Sequence, residues 1–360
     1  MKIILSVTND LVTDQRVHKV CTTLLRNGYD VELVGRRLSN SQPLNRDYRT
    51  KRLRLLFNKG FLFYVEYNLR LFIYLLFCKS DVYLSNDTDT LIANYLASKI
   101  RHRPLVFDAH ELFPEVPEVV NRPFIKAVWT SIEAWIFPQL QHSYTVCRSI
   151  ADYYHDKYGI KMGVVRNIPI ANHQLPITDY QSPSKIVLYQ GAVNEGRGIE
   201  RVIDAMPYLP ADYIFQVVGG GDKLDELKVY AEKLGLSDRV IFTGKLPFEE
   251  LFAYTAHATI GVNLLENKGL SYYYALPNRI FDYMRCRLPV LSCDFPEIRR
   301  IVAQYQIGLL IDDFSPQNVA KKIVELAEQP KNEAGFAAAN AELTWENEEK
   351  TLLQIIANEK

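Results

Sequence analysis

The sequence has few of the features that define several large protein classes. Only five of its 360 residues are cysteines. They are odd in number and widely spaced, with no C-x-x-C pair, which argues against a disulfide framework and a cysteine-bound zinc site. This pattern predicts reduced thiols in a cytoplasmic protein. The apolar run at residues 3–7 is too short for a signal-peptide core, and we expect it to be a buried strand. The cysteines are Cys21, Cys78, Cys147, Cys286 and Cys293.

Two common nucleotide-binding motifs are missing as well. Residues 8–14, TNDLVTD, follow the first predicted strand without any glycine, and neither G-x-G-x-x-G nor a P-loop sequence occurs. A dinucleotide cofactor is therefore disfavoured, and we predict no cofactor. The formal net charge is zero, with +6 in residues 1–180 and −6 in residues 181–360. No basic stripe with interleaved aromatics is present, so nucleic acid is not an expected partner.

Strand-like and helix-like segments alternate along both halves of the chain, which predicts α/β domains with parallel sheets covered by helices. A polar, proline-containing segment at 174–184 separates the halves and is the predicted linker. We expect two doubly wound, Rossmann-like domains, residues 1–178 and 179–342, facing each other across a cleft. The predicted strands are 2–7, 31–35, 81–85, 104–108, 143–147 and 163–165, then 185–190, 213–218, 240–242, 259–263, 289–292 and 307–311.

The segment 276–294, LPNRIFDYMRCRLPVLSCD, reads as an anion-binding helix followed by a strand. Pro277 suits the first turn of a helix, and Asn278 can satisfy free amides there. The helix mouth would carry partial positive charge suited to a phosphate or diphosphate. Asp282 lies one turn further along the same face, where it can accept hydrogen bonds from ribose hydroxyls. A nucleotide fits both groups; a capped surface helix with a solvated aspartate is the alternative.

Glycine ends several predicted strands of the second half. The segments are 185–191, KIVLYQG, with Gly-Arg-Gly soon after it, 215–222, FQVVGGGD, and 240–245, VIFTGK. Missing Cβ atoms let a ligand approach the backbone closely. Arg197 offers a fork of donors that can bind diphosphate oxygens and stabilise a departing nucleotide. Each loop alone would be an ordinary tight turn, but together they indicate a nucleotide site. The glycines concerned are Gly191, Gly198, Gly219, Gly220 and Gly244.

With these motifs the chain resembles the family-four retaining glycosyltransferases of the GT-B fold. The resemblance rests on the glycine loop 191–198, the strand end 218–221, the turn 242–244 and the pair Tyr274 and Asp282, where the family has two glutamates. It covers most of the carboxy-terminal half and, more loosely, the amino-terminal half. It implies a nucleoside diphosphate sugar as donor, retention of anomeric configuration, and a last helix at 343–360 that crosses back to the first domain.

Three positions depart from the family pattern: Tyr274 and Asp282 stand in place of glutamates, and Ala192 stands in place of an arginine. Tyr274 cannot act as a carboxylate, and Ala192 lacks the charge of the arginine that many relatives carry. Arg197 would then carry more of the diphosphate charge, and Asp282 can keep the ribose contact of the second glutamate. The predicted catalytic residues are Arg197, His110 and Asp282. The predicted donor-binding residues are Gly191, Gly198, Gly219, Gly220, Phe242, Gly244, Lys245, Tyr274, Ala275, Leu276, Pro277 and Asn278.

The sequence Asp108-Ala109-His110-Glu111 follows a strand of the first domain. By the resemblance, a histidine here contacts the donor sugar. His110 can hydrogen-bond a sugar hydroxyl, and Asp108 or Glu111 can orient its ring. A loop histidine without a ligand is the alternative.

Further acceptor-side candidates are Asp14 and Arg16, which open the first helix, and Asp87. Asp87-Thr88-Asp89 resembles the D-x-D of metal-dependent glycosyltransferases, but an aspartate before a helix is also a common N-cap. We favour the cap and predict no metal.

The first half also contains a basic stretch followed by an apolar one. Residues 61–77, FLFYVEYNLRLFIYLLF, are interrupted by Glu66 and Arg70. Two charges and a length under about 20 residues argue against a membrane span. A buried helix is the first interpretation, and a helix resting on an anionic membrane near a lipid-linked acceptor is the second. The basic residues are Arg46, Arg49, Lys51, Arg52, Arg54 and Lys59.

Together these features predict a metal-independent, retaining glycosyltransferase of cell-surface polysaccharide synthesis. We expect a glycan or lipid-linked acceptor and a cytoplasmic protein, peripheral at the inner face of the cytoplasmic membrane. Two alternatives remain. A sugar-nucleotide epimerase shares the GT-B architecture and would convert the donor alone. A noncatalytic sugar-nucleotide-binding protein, suggested by Tyr274, would bind the donor without turnover.

Overall fold

The computed structural model describes residues 1–12, 14–170 and 184–357. The chain divides into two compact units. The first is Met1–Asn167 together with the chain from Glu346 onward, and the second is Ile168–Trp345. The division falls earlier than the predicted boundary at 178 and 179. Residues 174–183 of the predicted linker lie outside the described residues.

The described part of the first unit contains one seven-stranded sheet. Every neighbouring pair is parallel, and the chain-order numbers of the strands across the sheet run 3-2-1-4-5-6-7. The strands are β1 (Lys2–Asp10), β2 (Asp30–Arg37), β3 (Arg49–Arg54), β4 (Val82–Asn86), β5 (Leu105–Ala109), β6 (His142–Thr145) and β7 (Gly163–Val164). The helices are α1 (Gln15–Arg26), α2 (Gly60–Phe77), α3 (Thr88–Arg101), α4 (Pro117–Val120), α5 (Pro123–Ile136) and α6 (Arg148–Tyr158).

Strand β3 is absent from the predicted strands. Its sequence, RTKRLR, is mostly charged, and it pairs only with β2 at one edge of the sheet. Edge strands often carry positive charge because it discourages pairing with another chain. The hydrophobic pattern therefore could not reveal this strand.

The second unit has the same architecture with six parallel strands in its described part, in the order 10-9-8-11-12-13. They are β8 (Lys185–Gln190), β9 (Tyr213–Val218), β10 (Val240–Gly244), β11 (Ile260–Asn263), β12 (Val290–Cys293) and β13 (Gly308–Ile311). The helices are α7 (Ile199–Ala205), α8 (Leu224–Lys233), α9 (Phe248–His257), α10 (Leu270–Tyr273), α11 (Asn278–Arg285), α12 (Pro296–Tyr305), α13 (Pro316–Glu328) and α14 (Glu333–Glu342).

The last helix, α15 (Trp345–Ala357), contributes to the first unit. Its Glu348 carboxylate accepts a hydrogen bond from the backbone N–H of Arg166 at 2.7 Å and lies 3.1 Å from the Arg166 guanidinium. The next residue, Glu349, accepts from the Thr23 hydroxyl on α1 at 3.0 Å. These contacts attach α15 to both α1 and the end of the first sheet.

Strand order reverses once in each sheet, between β1 and β4 and between β8 and β11. Doubly wound sheets bind ligands at the carboxyl ends of the strands beside such a reversal. The prediction of two Rossmann-like α/β domains is confirmed, and both sheets point to the loops that follow these strands.

Helix α2 is apolar on two opposite sides. Its inner side, Phe63, Tyr67, Leu71 and Leu75, is buried in the core of the first unit. Its outer side is exposed, so the prediction of a buried helix is only half right. Within the described residues α2 is the one helix long and apolar enough to cross a membrane by length and composition, and 22% of it is buried. The outer side is formed by Phe61, Val65, Leu69, Ile73 and Phe77, every fourth residue, which are 46–84% exposed.

Candidate functional site

Three strand ends of the second sheet lie side by side. The backbone N–H of Gly191, after β8, donates to the Val218 carbonyl at 2.9 Å, and that of Gly219 donates to the Gly244 carbonyl at 2.9 Å. Gly219 has φ +149°, and a Cβ there would lie 1.8 Å from the Gly191 carbonyl oxygen, so only glycine fits. The predicted glycine loops therefore form one edge made largely of backbone.

The loop from Gly191 to Gly198 reaches from this edge to α10. A Cβ on Gly198 would lie 1.8 Å from the Leu264 carbonyl oxygen, which fixes the end of the loop against the chain after β11. The guanidinium of Arg197 lies 4.7 Å from the centre of the Tyr272 ring. Its Nε is buried without a hydrogen-bond partner in the described part of the chain. The loop thus holds one half-buried guanidinium whose Nε–H can donate a hydrogen bond to a ligand.

Helix α11 begins one residue later than predicted. Asn278 is its first residue and is exposed, while Pro277, with ψ 135°, occupies the N-cap position. Proline has no side-chain acceptor, so the predicted cap by Asn278 is wrong. The physical reason is that the proline is still extended, which moves the asparagine into the helix, where a side chain no longer caps. The first amides of α11 are consequently left to bind an anion or water.

Asp282 is fixed beside the end of β8. Its Oδ2 accepts a hydrogen bond from the Gln190 side-chain amide at 2.7 Å, and the Gln190 Oε1 accepts from the Thr255 hydroxyl at 2.6 Å. Gln190 is buried and directly precedes Gly191. The carboxylate predicted to bind ribose therefore lies at the same edge as the glycine loops, and its orientation is held through α9 and β8.

Arg279 is a residue of this edge that the sequence analysis missed. It is 7% exposed, and its guanidinium lies 4.2 Å from the centre of the Tyr189 ring. A Cβ on Gly191 would be 3.2 Å from Arg279 Nη2, so the guanidinium lies against the start of the loop. No sequence signal marked Arg279, because the direction of a side chain in a first helical turn depends on packing.

Other predicted donor residues contribute backbone more than side chains. Phe242, Ala275 and Leu276 are partly buried and pack against the hydrophobic cores of the second unit. The exposed Lys245 lays its aliphatic stem over Gly220, 3.0 Å from where a Cβ would stand. Tyr274 follows α10 as its C-cap residue, and its ring centre lies 5.4 Å from that of Tyr273.

In the first unit, His110 is held by two carboxylates. Its Nδ1 lies 3.1 Å from Asp87 Oδ2 and its Nε2 lies 3.0 Å from Asp108 Oδ2. Burial alone would lower the pKa of His110, but the carboxylates of Asp87 and Asp108 raise that pKa well above its usual range. Both ring nitrogens of the resulting imidazolium donate to protein groups. The expected hydrogen bond from the His110 ring to a sugar hydroxyl is therefore not available in this arrangement.

Asp108 is fully buried and pairs with Arg16 on its other side. Arg16 Nη2 donates to Oδ1 at 2.7 Å and Nε donates to Oδ2 at 3.1 Å. Burial alone would raise the pKa of the Asp108 carboxyl, yet Arg16 and His110 hold that pKa at about 2. Asp108 does orient the His110 ring, as the sequence suggested, while Arg16 serves this buried ion pair and is 5% exposed. Glu111, the next residue after His110, is exposed.

The predicted cap at Asp87 is wrong. Asp87 precedes α3 but makes no side-chain cap bond, and instead its Oδ1 accepts from the His110 backbone N–H at 2.8 Å. Asp87 has a positive φ of +58°. Asp14, in contrast, is an ordinary N-cap, because its Oδ1 accepts from the Val17 N–H at 3.0 Å. Among residues 1–12, 14–170 and 184–357, no group of three His, Cys, Asp or Glu side chains is arranged to hold a metal ion.

Family models match both halves of the chain. The model described as glycosyl transferases group 1 matches residues 175–342, and the glycosyltransferase family 4 model matches residues 14–170. The chain belongs to the family-four glycosyltransferases. The chain has the GT-B fold that the resemblance implied.

Individual relatives of the chain are distant. The GDP-mannose-dependent alpha-(1-6)-phosphatidylinositol monomannoside mannosyltransferase of Mycolicibacterium smegmatis is 26% identical over 163 residues, 42% of this chain and 41% of that protein. The chain spans less than half the length of the curated relatives it matches. Sucrose-phosphate synthase from Thermosynechococcus elongatus has TM-score 0.83 at 17% identity, covering 99% and 98% of the two chains. Anabaena HepE in complex with UDP-glucose has TM-score 0.75 at 15% identity, covering 99% and 100%.

Proposed function

We propose that the chain transfers a sugar from a nucleoside diphosphate sugar to an acceptor hydroxyl, with retained anomeric configuration and without a metal or other cofactor. The observation that carries this proposal is the edge of the second unit. There the Arg197 loop, the uncapped mouth of α11 and the Asp282 carboxylate are joined through Gly191 and Gln190.

The groups at this edge of the second sheet match the diphosphate, the ribose and the base of a nucleotide. Amides at the start of α11 and the Arg197 guanidinium complement a diphosphate. The Asp282 carboxylate accepts from ribose hydroxyls, and the backbone from Phe242 to Lys245 is available to the base. Relatives fit this assignment, since one carries GDP-mannose in its name and HepE was crystallised with UDP-glucose. As the bond to the sugar breaks, Arg197 would stabilise the charge that develops on the diphosphate.

The test is product analysis with UDP-glucose and GDP-mannose, each incubated alone and with lipid-linked and soluble glycan acceptors. We expect an acceptor-dependent product whose new glycosidic bond keeps the donor's anomeric configuration by NMR, at a rate unchanged by EDTA. Conversion of the donor without acceptor would instead identify an epimerase. Binding without turnover over the whole acceptor panel would identify a noncatalytic binding protein. An inverted product or a rate abolished by EDTA would contradict the mechanism.

The acceptor side of the proposal rests on the outer side of α2. Monomeric proteins rarely expose a continuous apolar stripe of this length without a partner. The basic edge strand β3 packs beside α2, with Lys51 Nζ 5.8 Å from the centre of the Tyr74 ring. In the described part of the chain, neither Arg54 nor Lys59 makes an ion pair. An exposed apolar stripe on a helix that begins directly after the unpaired Lys59 suits an anionic lipid surface.

We therefore assign α2 and β3 to reversible attachment at the inner face of the cytoplasmic membrane, with a lipid-linked acceptor in cell-surface polysaccharide synthesis. The buried side of α2 belongs to the core of its unit, so the helix lies on the membrane in this assignment. All five cysteines are free thiols, which fits a reducing compartment. The named substrate of the mycobacterial relative, a phosphatidylinositol mannoside, is also a lipid.

Replacing Leu69 and Ile73 together by glutamate is expected to weaken binding to anionic vesicles by at least about 10-fold. Each change removes roughly 1 kcal/mol of apolar burial in lipid and adds a repelled charge. Flotation of the full chain with phosphatidylglycerol-containing vesicles at low salt measures the effect. Val229→Glu is the matched control, because Val229 is 47% exposed on α8 of the second unit. Wild-type protein that stays unbound, or equal flotation of the double variant, would end this assignment.

A further inference from the structure

Arg279 carries a positive charge that no group in the described part of the chain neutralises. It is only 7% exposed, and its Nη1 is buried without a hydrogen-bond partner in the described residues. In the described ranges it forms no ion pair with a carboxylate, although Asp282 is only three residues further along α11. An unpaired buried guanidinium is costly. Its retention in a buried position calls for an anionic partner.

The packing around Arg279 fixes where that partner must lie. The guanidinium stacks 4.2 Å from the centre of the Tyr189 ring, and its Nη2 lies against Gly191 at the start of the glycine loop. Stacking on tyrosine holds the guanidinium plane while leaving its N–H groups free to donate. Since Arg279 is the second residue of α11, its charge also lies at the end of the helix where the backbone amides favour an anion.

Resting on the function proposed above, we infer that Arg279 is a second guanidinium for the donor diphosphate. It is distant from Arg197 in the sequence but lies at the same edge of the second sheet. The loop from Gly191 to Gly198 contains one cation, Arg197, because its second residue is Ala192. A nucleoside diphosphate has two phosphoryl groups to bind. Arg279 lies at the Gly191 end of the loop and Arg197 near its Gly198 end, so each phosphoryl group has a guanidinium of its own.

A diphosphate-binding arginine and a purely structural arginine respond differently to substitution. A structural role, stacking on Tyr189, would be kept by a flat or long uncharged side chain and would not depend on phosphate. A diphosphate-binding role depends on charge and on the phosphates, whatever the base. Arg279→Met keeps much of the apolar stem over Tyr189 and removes the charge, whereas Arg279→Lys keeps the charge and removes the fork.

The experiment is calorimetric titration of the full chain with UDP and GDP and with uridine and guanosine. We expect Arg279→Met to weaken the binding of the preferred diphosphate by about 10- to 100-fold, as loss of charged hydrogen bonds does. The affinity for the matching nucleoside should change less than about twofold, and Arg279→Lys should recover part of the loss. Arg285→Met is the matched control: it removes an arginine of α11 that donates to the Ile170 carbonyl, about 9 Å further along the helix.

Two failures are distinguishable. If wild-type protein binds neither UDP nor GDP nor other nucleoside diphosphates, the proposed function itself fails. If wild-type protein binds a diphosphate and Arg279→Met binds it equally well, the role of Arg279 is overturned and the proposed function stands. Should Arg279→Met unfold, the Arg279→Lys titration decides: a folded Lys variant with unchanged diphosphate affinity and unchanged nucleoside affinity also overturns the role.

Discussion

Replacing Arg197 by alanine is expected to lower kcat/KM for sugar transfer by about 100-fold while leaving the protein folded. Preorganised donors that meet charge developing in a transition state are worth about 100- to 1000-fold in rate. Arg197 has the properties of such a donor, because its guanidinium is fixed over Tyr272 and its Nε has no partner in the described residues. Most of the loss should appear in kcat, since the diphosphate gains charge as it departs.

The measurement is steady-state kinetics with the active donor and acceptor, together with a thermal unfolding curve. Arg201→Ala is the control, because Arg201 is exposed on α7, outside residues 191–198, and pairs with Glu266 at 2.8 Å, so the variant removes the same charge from a surface ion pair. Its kcat/KM should stay within about twofold, as surface ion pairs contribute little. Equal values for wild type and Arg197→Ala would show that another group stabilises the leaving diphosphate.

Replacing Arg16 by methionine is expected to lower the free energy of unfolding of the first unit by about 3–5 kcal/mol. The change leaves the buried Asp108 carboxylate with His110 alone, and removing one partner of a buried ion pair usually costs this much. It also removes the donor that reaches the Val165 carbonyl at 2.9 Å. Urea unfolding followed by tryptophan fluorescence measures it, because Trp129 and Trp135 both lie in α5 of that unit. Arg26→Met, an exposed arginine paired with Glu349, should cost under about 1 kcal/mol.

The ion pair between Arg16 and Asp108 also predicts how the stability lost in Arg16→Met depends on pH. The pKa of Asp108, held at about 2, is below the value near 3.9 of an unfolded chain. Its stabilising contribution is therefore complete above about pH 4 and is lost as the pH falls toward 2. The difference between wild type and Arg16→Met should be smaller at pH 3 than at pH 7. A difference that stays constant with pH, or a double variant Arg16→Met with Asp108→Asn no more stable than Arg16→Met, would contradict the ion-pair account.

The parallel sheets were predictable because their strands are buried on both faces and read as continuous apolar runs. Residues 3–5 and 187–189 are fully or almost fully buried, and both lie in strands beside a reversal of strand order. Strand β3 was not predicted, because it lies at the edge of the sheet and its sequence is mostly charged. Exposure of the outer side of α2 was only the second interpretation of the sequence, because a helix that is apolar all round is usually enclosed. The amino-acid composition does not show which side of such a helix packs against the sheet of its own unit.

The site was predictable where a motif constrains the backbone and unpredictable where contacts join distant segments. Gly198 and Gly219 are required by close carbonyl oxygens, and glycine in the sequence already signalled such an approach. The contacts of His110 with Asp87 and of Arg279 with Tyr189 depend on side chains brought together by folding. Residue types alone left His110 as a sugar ligand and Arg279 without a role.

The measurement that tests the central claim most directly is isothermal titration of the full chain with a panel of nucleoside diphosphates, monophosphates and nucleosides. We predict that at least one diphosphate binds with a Kd below about 1 mM, more tightly than its own monophosphate and nucleoside, and that Arg197→Ala weakens this binding. No binding by any diphosphate, or an affinity that does not depend on the phosphates, would contradict the assignment of this edge as a diphosphate site.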